Sequence, residues 1–140
     1  MSTEHNKALA LRFAEEVINQ HNLAAVDTLF ASTYVNHFSP PGAPQGPDGE
    51  KQLNAMFFSA FPNCHLTVED MIAEGDKVVS RWTYQGTHTG EFMGIAPTGK
   101  SFTIQGMSVF CLAENKIVDN WTSLDMLALL QQLGVIPSMG

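Results

Sequence analysis

The chain has 140 residues and a formal net charge of −7, with seven Lys plus Arg against fourteen Asp plus Glu; that size fits one domain over residues 1–140, and the scattered cations exclude a phosphate-binding, nucleic-acid partner. Its residues are 44% hydrophobic and 15% charged, a globular composition with apolar surface to spare for a pocket or for pairing with a second copy of the chain. The N-terminal MSTEHNKALALRFAEEV mixes charge into its apolar positions, and no run approaches the ~18 apolar residues of a membrane span, so a cytoplasmic protein with no membrane contact is expected.

Along residues 3 to 20, Leu9, Phe13 and Val17 with Ala10, Ala14 and Ile18 form the stripe of an amphipathic helix, with Ser2 or Thr3 as its cap. A shorter helix follows from Asn22 through Leu23, Val26, Leu29 and Phe30, and a strand-like piece, Tyr34 to Phe38, comes after it. Residues 39 to 49, SPPGAPQGPDG, are too rich in Pro and Gly for regular structure and read as a surface loop or pocket rim. Pro47 and Asp48 start a third helix striped by Leu53, Met56, Phe57 and Ala60, which Pro62 stops.

From His65 the pattern is that of strands: Leu66, Val68, Asp70 and Ile72 on one face and Thr67, Glu69, Met71 and Ala73 on the other. Gly75-Asp76 reads as a hairpin turn into a strand from Lys77 to Thr87, and further strands are expected over 101–112 and 116–123. Between them, Glu91 to Thr98 carries Phe92, Met93 and Ile95 among glycines and a proline, and reads as a lid over a cavity. Met126, Leu129, Leu130 and Leu133 form a closing helix. Helices first and sequential strands afterwards predict an α+β fold, three N-terminal helices packed on a curved antiparallel sheet. Strand positions apolar on both faces, such as Val78 with Val79 and Val109 with Phe110, predict a homodimer through the sheet.

Chemistry has few places to sit. The alternation Trp121, Ser123, Asp125 puts these three on one face. If that face is concave, a carboxylate lies beside an indole within a cavity; otherwise Asp125 caps the closing helix through the N–H of Leu127 or Ala128. His37 and His88 each suit a pocket or a structural hydrogen bond equally, while His5 and His21 fall on solvent-facing positions and His65 reads as structural. Arg81 calls for a carboxylate partner, Asp119 or Glu69, or else lines the pocket. Tyr84, Gln105 and Ser108 are further candidates for pocket polarity. Cys64 and Cys111 suggest neither a disulfide nor an activated nucleophile, no His/carboxylate spacing indicates a metal, and no phosphate-cradling loop is present. What remains is cofactor-free proton transfer on a small apolar or aromatic ligand.

The pattern Arg81, Gly86-Thr87-His88, Gly94, Pro97-Thr98-Gly99-Lys100, with Gly75-Asp76-Lys77-Val78 before it and Lys116-Ile117-Val118-Asp119, Trp121 and Asp125 after it, resembles the SnoaL-like polyketide cyclases, also called ester cyclases. Glu16, Asn36-His37, Phe61-Pro62 and Gln132-Leu133-Gly134 extend the likeness over nearly the whole chain. The resemblance implies the cone-shaped nuclear-transport-factor-2-like (NTF2-like) fold and a lyase- or isomerase-type ring closure. It gives Asp125 the acid/base role with His88 in the catalytic set. His37, Arg81, Tyr84, Phe92, Gln105, Trp121 and Ser123 are then the expected substrate contacts. A non-catalytic ligand-binding protein on the same cone is the rival reading.

Overall fold

The computed structural model describes residues 2–137; residues 1 and 138–140 of the expected single domain lie outside the described residues. Helix α1 (Thr3–Arg12) begins at Ser2, whose hydroxyl accepts the His5 N–H at 3.0 Å, as an N-cap should. Its continuation, Phe13–Asn19, widens into a π-helix, a form common where a helix lines a functional cavity. Helix α2 (Ala25–Leu29) is shorter than its sequence pattern predicts, because strand β1 already begins at Phe30 and runs to Asn36. Helix α3 (Gly46–Ala60) precedes β2 (His65–Glu74), β3 (Lys77–Thr87), β4 (Ser101–Ala113) and β5 (Lys116–Leu124), and α4 (Met126–Gln132) closes the described chain.

The five strands form one curved sheet in the order β1-β5-β4-β3-β2, with the helices on its inner face. The three hairpin pairings are antiparallel, but β1 joins β5 in parallel, with Phe30 opposite Ile117 and Asn36 opposite Asn120. The sheet is therefore mixed at one edge, where a wholly antiparallel one was expected. On β3 and β4 the alternation is clean: Val78, Ser80, Trp82 and Tyr84, with Phe102, Ile104, Ser108 and Phe110, are buried on the inner face.

Two irregularities break the alternation in the flanking strands. The β2–β3 register shifts between Val68 and Asp70, so the extra residue moves Asp70 and Ile72 to the outer face and turns Met71 and Ala73 inward against the core. The β4–β5 register shifts between Cys111 and Leu112; buried Ile117 and buried Asn120 then share the inner side across the irregularity. Beyond it Thr122 and Leu124 follow Asn120 inward.

Candidate functional site

A cavity of about 110 Å³ lies between the inner face of the sheet and the helices, several times the ~10–15 Å³ that one water molecule needs. Its wall is largely aromatic: Phe13 and Ile18 from the π-helical stretch, Phe57 and Phe58 from α3, Trp82 and Tyr84 from β3, and Phe110 from β4. A polar strip interrupts that wall with Asn36, Glu50, Asn54, Ser80, Ser108, Asn120 and Thr122. Among the described lining residues Glu50 is the single carboxylate, and none is Lys, Arg or His.

Glu50 sits in the first turns of α3, where Leu53, Asn54 and Phe57 share its face at helical spacing. It is 3% exposed, and a buried carboxyl of this kind must be hydrogen-bonded or neutral. The Tyr34 hydroxyl donates to its Oε1 at 2.6 Å, the Asn36 amide to the same oxygen at 3.1 Å, and the Asn54 amide to Oε2. These three donors favour the carboxylate, but burial outweighs them and raises the pKa above the ordinary 4.5. A carboxyl raised in this way accepts and releases protons nearer neutrality. Burial and the neighbouring Glu50 also push the Tyr34 phenol far up, keeping it a donor.

The rest of the strip, Ser80 aside, is a continuous network. Trp82 Nε1 donates to Ser108 Oγ at 3.1 Å, Ser108 and Thr122 hydroxyls meet at 2.9 Å, and Thr122 Oγ1 donates to Asn120 Oδ1 at 2.8 Å.

Of the residues expected at the site, Tyr84 and Ser108 do line the cavity. Asp125, Ser123 and Trp121 do share a face, as alternation requires, but that face is the outer one. Asp125 is exposed and caps α4, accepting the Ala128 N–H at 3.0 Å, so its placement inside the cavity is corrected. Replacing Asp125 by Ala is expected to cost about 0.5–2 kcal/mol of stability through the lost cap, read as a lowered melting temperature; an unchanged melting temperature would overturn the capping role.

Arg81 and Gln105 also lie on the outer face, in a shallow open depression with Ser123 and Asp125. Arg81 Nε pairs with Asp70 at 2.8 Å, neither Asp119 nor Glu69, because the β2 register shift turns Asp70 outward opposite it. His37 stacks on Trp121 with centroids 4.4 Å apart and bonds Asp119 at 3.0 Å, again outside the cavity.

His88 is wholly buried, yet it is absent from the cavity wall. Its Nδ1 accepts the Thr98 N–H at 3.2 Å and meets the Thr98 hydroxyl at 3.0 Å, which leaves the proton on Nε2; the ring lies edge-on to Phe61 at 5.7 Å. Its task is to fasten the loop that follows β3. Phe92, expected on a lid, is wholly buried between Phe57 and Phe61. It supports the cavity from behind Phe57 instead of lining it. The residues missed from sequence, Glu50, Asn54, Asn36 and Asn120, had a readable signal in one case: Glu50 falls on the apolar stripe of α3, three residues before Leu53 and seven before Phe57.

A family model for SnoaL-like polyketide cyclase matches residues 8–133. Among solved structures, TsrD from Streptomyces laurentii is 24% identical, with 97% of this chain and 99% of that one covered at a TM-score of 0.89. AclR from Streptomyces galilaeus, a candidate hydroxylase, is 28% identical over 99% of this chain and 87% of that one, with a TM-score of 0.86. IdmH from Streptomyces antibioticus, a candidate polyketide cyclase, is 30% identical over 92% and 98%, with a TM-score of 0.81. No curated protein matched the sequence.

Proposed function

Since the chain belongs to the SnoaL-like polyketide cyclase family, we propose that it is a cofactor-free cyclase- or isomerase-type enzyme that moves a proton on a small polyketide-like or other carbonyl substrate. The observation that carries this reading is Glu50, the one carboxyl among the described lining residues, buried in the polar strip of a largely aromatic cavity. In its ionised form Glu50 accepts the proton from the carbon next to a carbonyl. That carbon then forms a bond to a second carbonyl carbon, and the protonated Glu50 returns its proton to the new oxygen. The aromatic wall holds the substrate's rings beside Glu50. The acid/base role that the resemblance gave to Asp125 thus passes to the carboxyl that faces the cavity.

Deuterium exchange at the α-carbon of 2-tetralone, followed by proton NMR in heavy water, tests the reading with a neutral aromatic ketone. The wild-type protein is expected to accelerate exchange well above buffer. Binding of the ketone without any acceleration would instead leave a ligand-binding protein, the rival class.

The same reading includes a homodimer through the outer sheet face. Ile72, Val79, Val109 and Trp121 are register partners in one row across four strands, and Ile72 is 70% and Trp121 41% exposed. Met107, also exposed, lies beside this row. An apolar row of this kind on a sheet face is the pattern of a subunit contact. Sedimentation at micromolar concentration is expected to give a dimer that Val109→Asp splits; a wild-type monomer would overturn it.

A further inference from the structure

The inner face of the sheet carries three hydroxyls in one row. Ser80 on β3 pairs with Ser108 on β4, and Ser108 pairs with Thr122 on β5, so neighbouring strands set the three side by side on the cavity wall. Two of them have no proton left to give. Thr122 donates its one hydroxyl proton to Asn120 Oδ1, so at the 2.9 Å contact with Thr122 the donor is Ser108, whose oxygen in turn takes the Trp82 N–H. Ser80 stands outside that chain. It is 3% exposed, and among the described residues its hydroxyl has no hydrogen-bond partner. A buried hydroxyl without a partner destabilises a fold. Ser80 falls between Val78 and Trp82 in the buried alternation of β3, where an apolar side chain would avoid that cost. The cavity it lines is where a partner can enter.

Removing a proton next to a carbonyl builds negative charge on the carbonyl oxygen, and a donor must meet that oxygen. Glu50 cannot serve there while it acts as the base, and the Asn36 and Asn54 amides already donate to Glu50. We propose that Ser80 is a further catalytic residue, whose free hydroxyl donates to the substrate's carbonyl oxygen and carries the charge that gathers on it. Ser80 comes from the sheet and Glu50 from α3, so donor and base belong to different walls of one cavity. The carbon's proton goes to Glu50, and the pair of electrons from that C–H bond becomes the carbon–carbon double bond of the enolate. The carbonyl pair moves onto oxygen, and the Ser80 proton stays on serine, shared with that oxygen. The inference rests on the proposed function and deepens it by naming the carbonyl subsite.

The test reads the carbonyl stretch of bound 2-tetralone, labelled with carbon-13 at the carbonyl, by infrared difference spectroscopy, beside exchange at its α-carbon. In the wild-type protein the stretch is expected below its value in an alkane, because a donor meets the oxygen. Ser80→Ala is expected to return the stretch towards the alkane value and to slow exchange about tenfold to a hundredfold, the effect of losing one hydrogen bond to a charged acceptor. It should also hold or raise the melting temperature, since no hydrogen bond within the protein is lost; a structural hydroxyl would lower it. Ser80→Thr keeps the hydroxyl in a strand position that suits it and should restore both the low stretch and the exchange. A stretch that is the same in wild type and Ser80→Ala overturns the inference, and wild-type exchange that persists then leaves the proposed function standing. A stretch that follows Ser80 without any wild-type exchange overturns the proposed function and the catalytic role together.

Discussion

Glu50→Gln is expected to lower turnover by about 10²–10⁴ while leaving ligand affinity nearly unchanged, as loss of a general acid/base does when the binding wall is intact. The amide keeps the volume of the carboxyl, and its carbonyl still accepts from Tyr34 and Asn36, which donate to one Glu50 oxygen. Only the contact with Asn54 must rearrange. The same substitution carries a stability signature with a fixed sign. Burial raises the Glu50 pKa above 4.5, so the protonated form is the one the fold prefers. The contribution is fully present below the unfolded value and is lost as pH rises through the folded one. Wild-type stability therefore declines across that window, and Glu50→Gln removes the decline, so the variant gains on wild type as pH rises. Parallel pH profiles of the two melting temperatures would sink the buried-carboxyl account, and undiminished exchange on 2-tetralone would sink its role in the reaction.

Gly106→Ala is expected to damage the cavity from beneath. A Cβ at Gly106 would lie 2.3 Å from Trp82 Cη2 and 2.5 Å from Cζ2, distances no packed side chain sustains, so the indole must move. Overpacking of this kind costs about 1–3 kcal/mol. Here it also breaks a functional surface, because Trp82 lines the cavity and its Nε1 anchors the Ser108, Thr122 and Asn120 network. A lowered melting temperature should accompany weaker ligand binding and an altered near-ultraviolet signal. The chain has two tryptophans, and the outer one, Trp121, is unaffected and serves as reference. Unchanged ligand affinity would show that Trp82 does not shape the binding surface.

The architecture was legible because its signals are local. The stripe of Leu9, Phe13 and Val17 marks a helix whether its turns are α or π, and Gly75-Asp76 and Glu114-Asn115 punctuate the strands. The parallel seam of β1 with β5 was not legible, since it joins segments far apart with no turn between them. The site was read on the wrong side of the sheet for a physical reason. Alternation tells which residues share a face but not which face is inner, and two register shifts, near Glu69 and Val118, invert the count along β2 and β5. Trp121, Ser123 and Asp125 were therefore grouped correctly, while their side was left open by alternation and their site role came from the resemblance alone. Glu50 escaped notice because it follows a run of Pro, Gly and Asp, where an acid resembles a solvated helix start, although its spacing to Leu53 and Phe57 marks the apolar face.

The parallel seam also sets when the cavity can exist. Tyr34 and Asn36, two of the three donors to Glu50, come from β1, and β1 pairs only with β5, a strand near the other end of the chain. Such a pairing must close a long loop before it gains any contact, which places it late in folding and makes it slow. A nascent or partly folded chain can complete the β2–β3–β4 meander and still have an open wall where Glu50 belongs. On the proposed function, competence to hold a ligand therefore waits on the β1–β5 pairing.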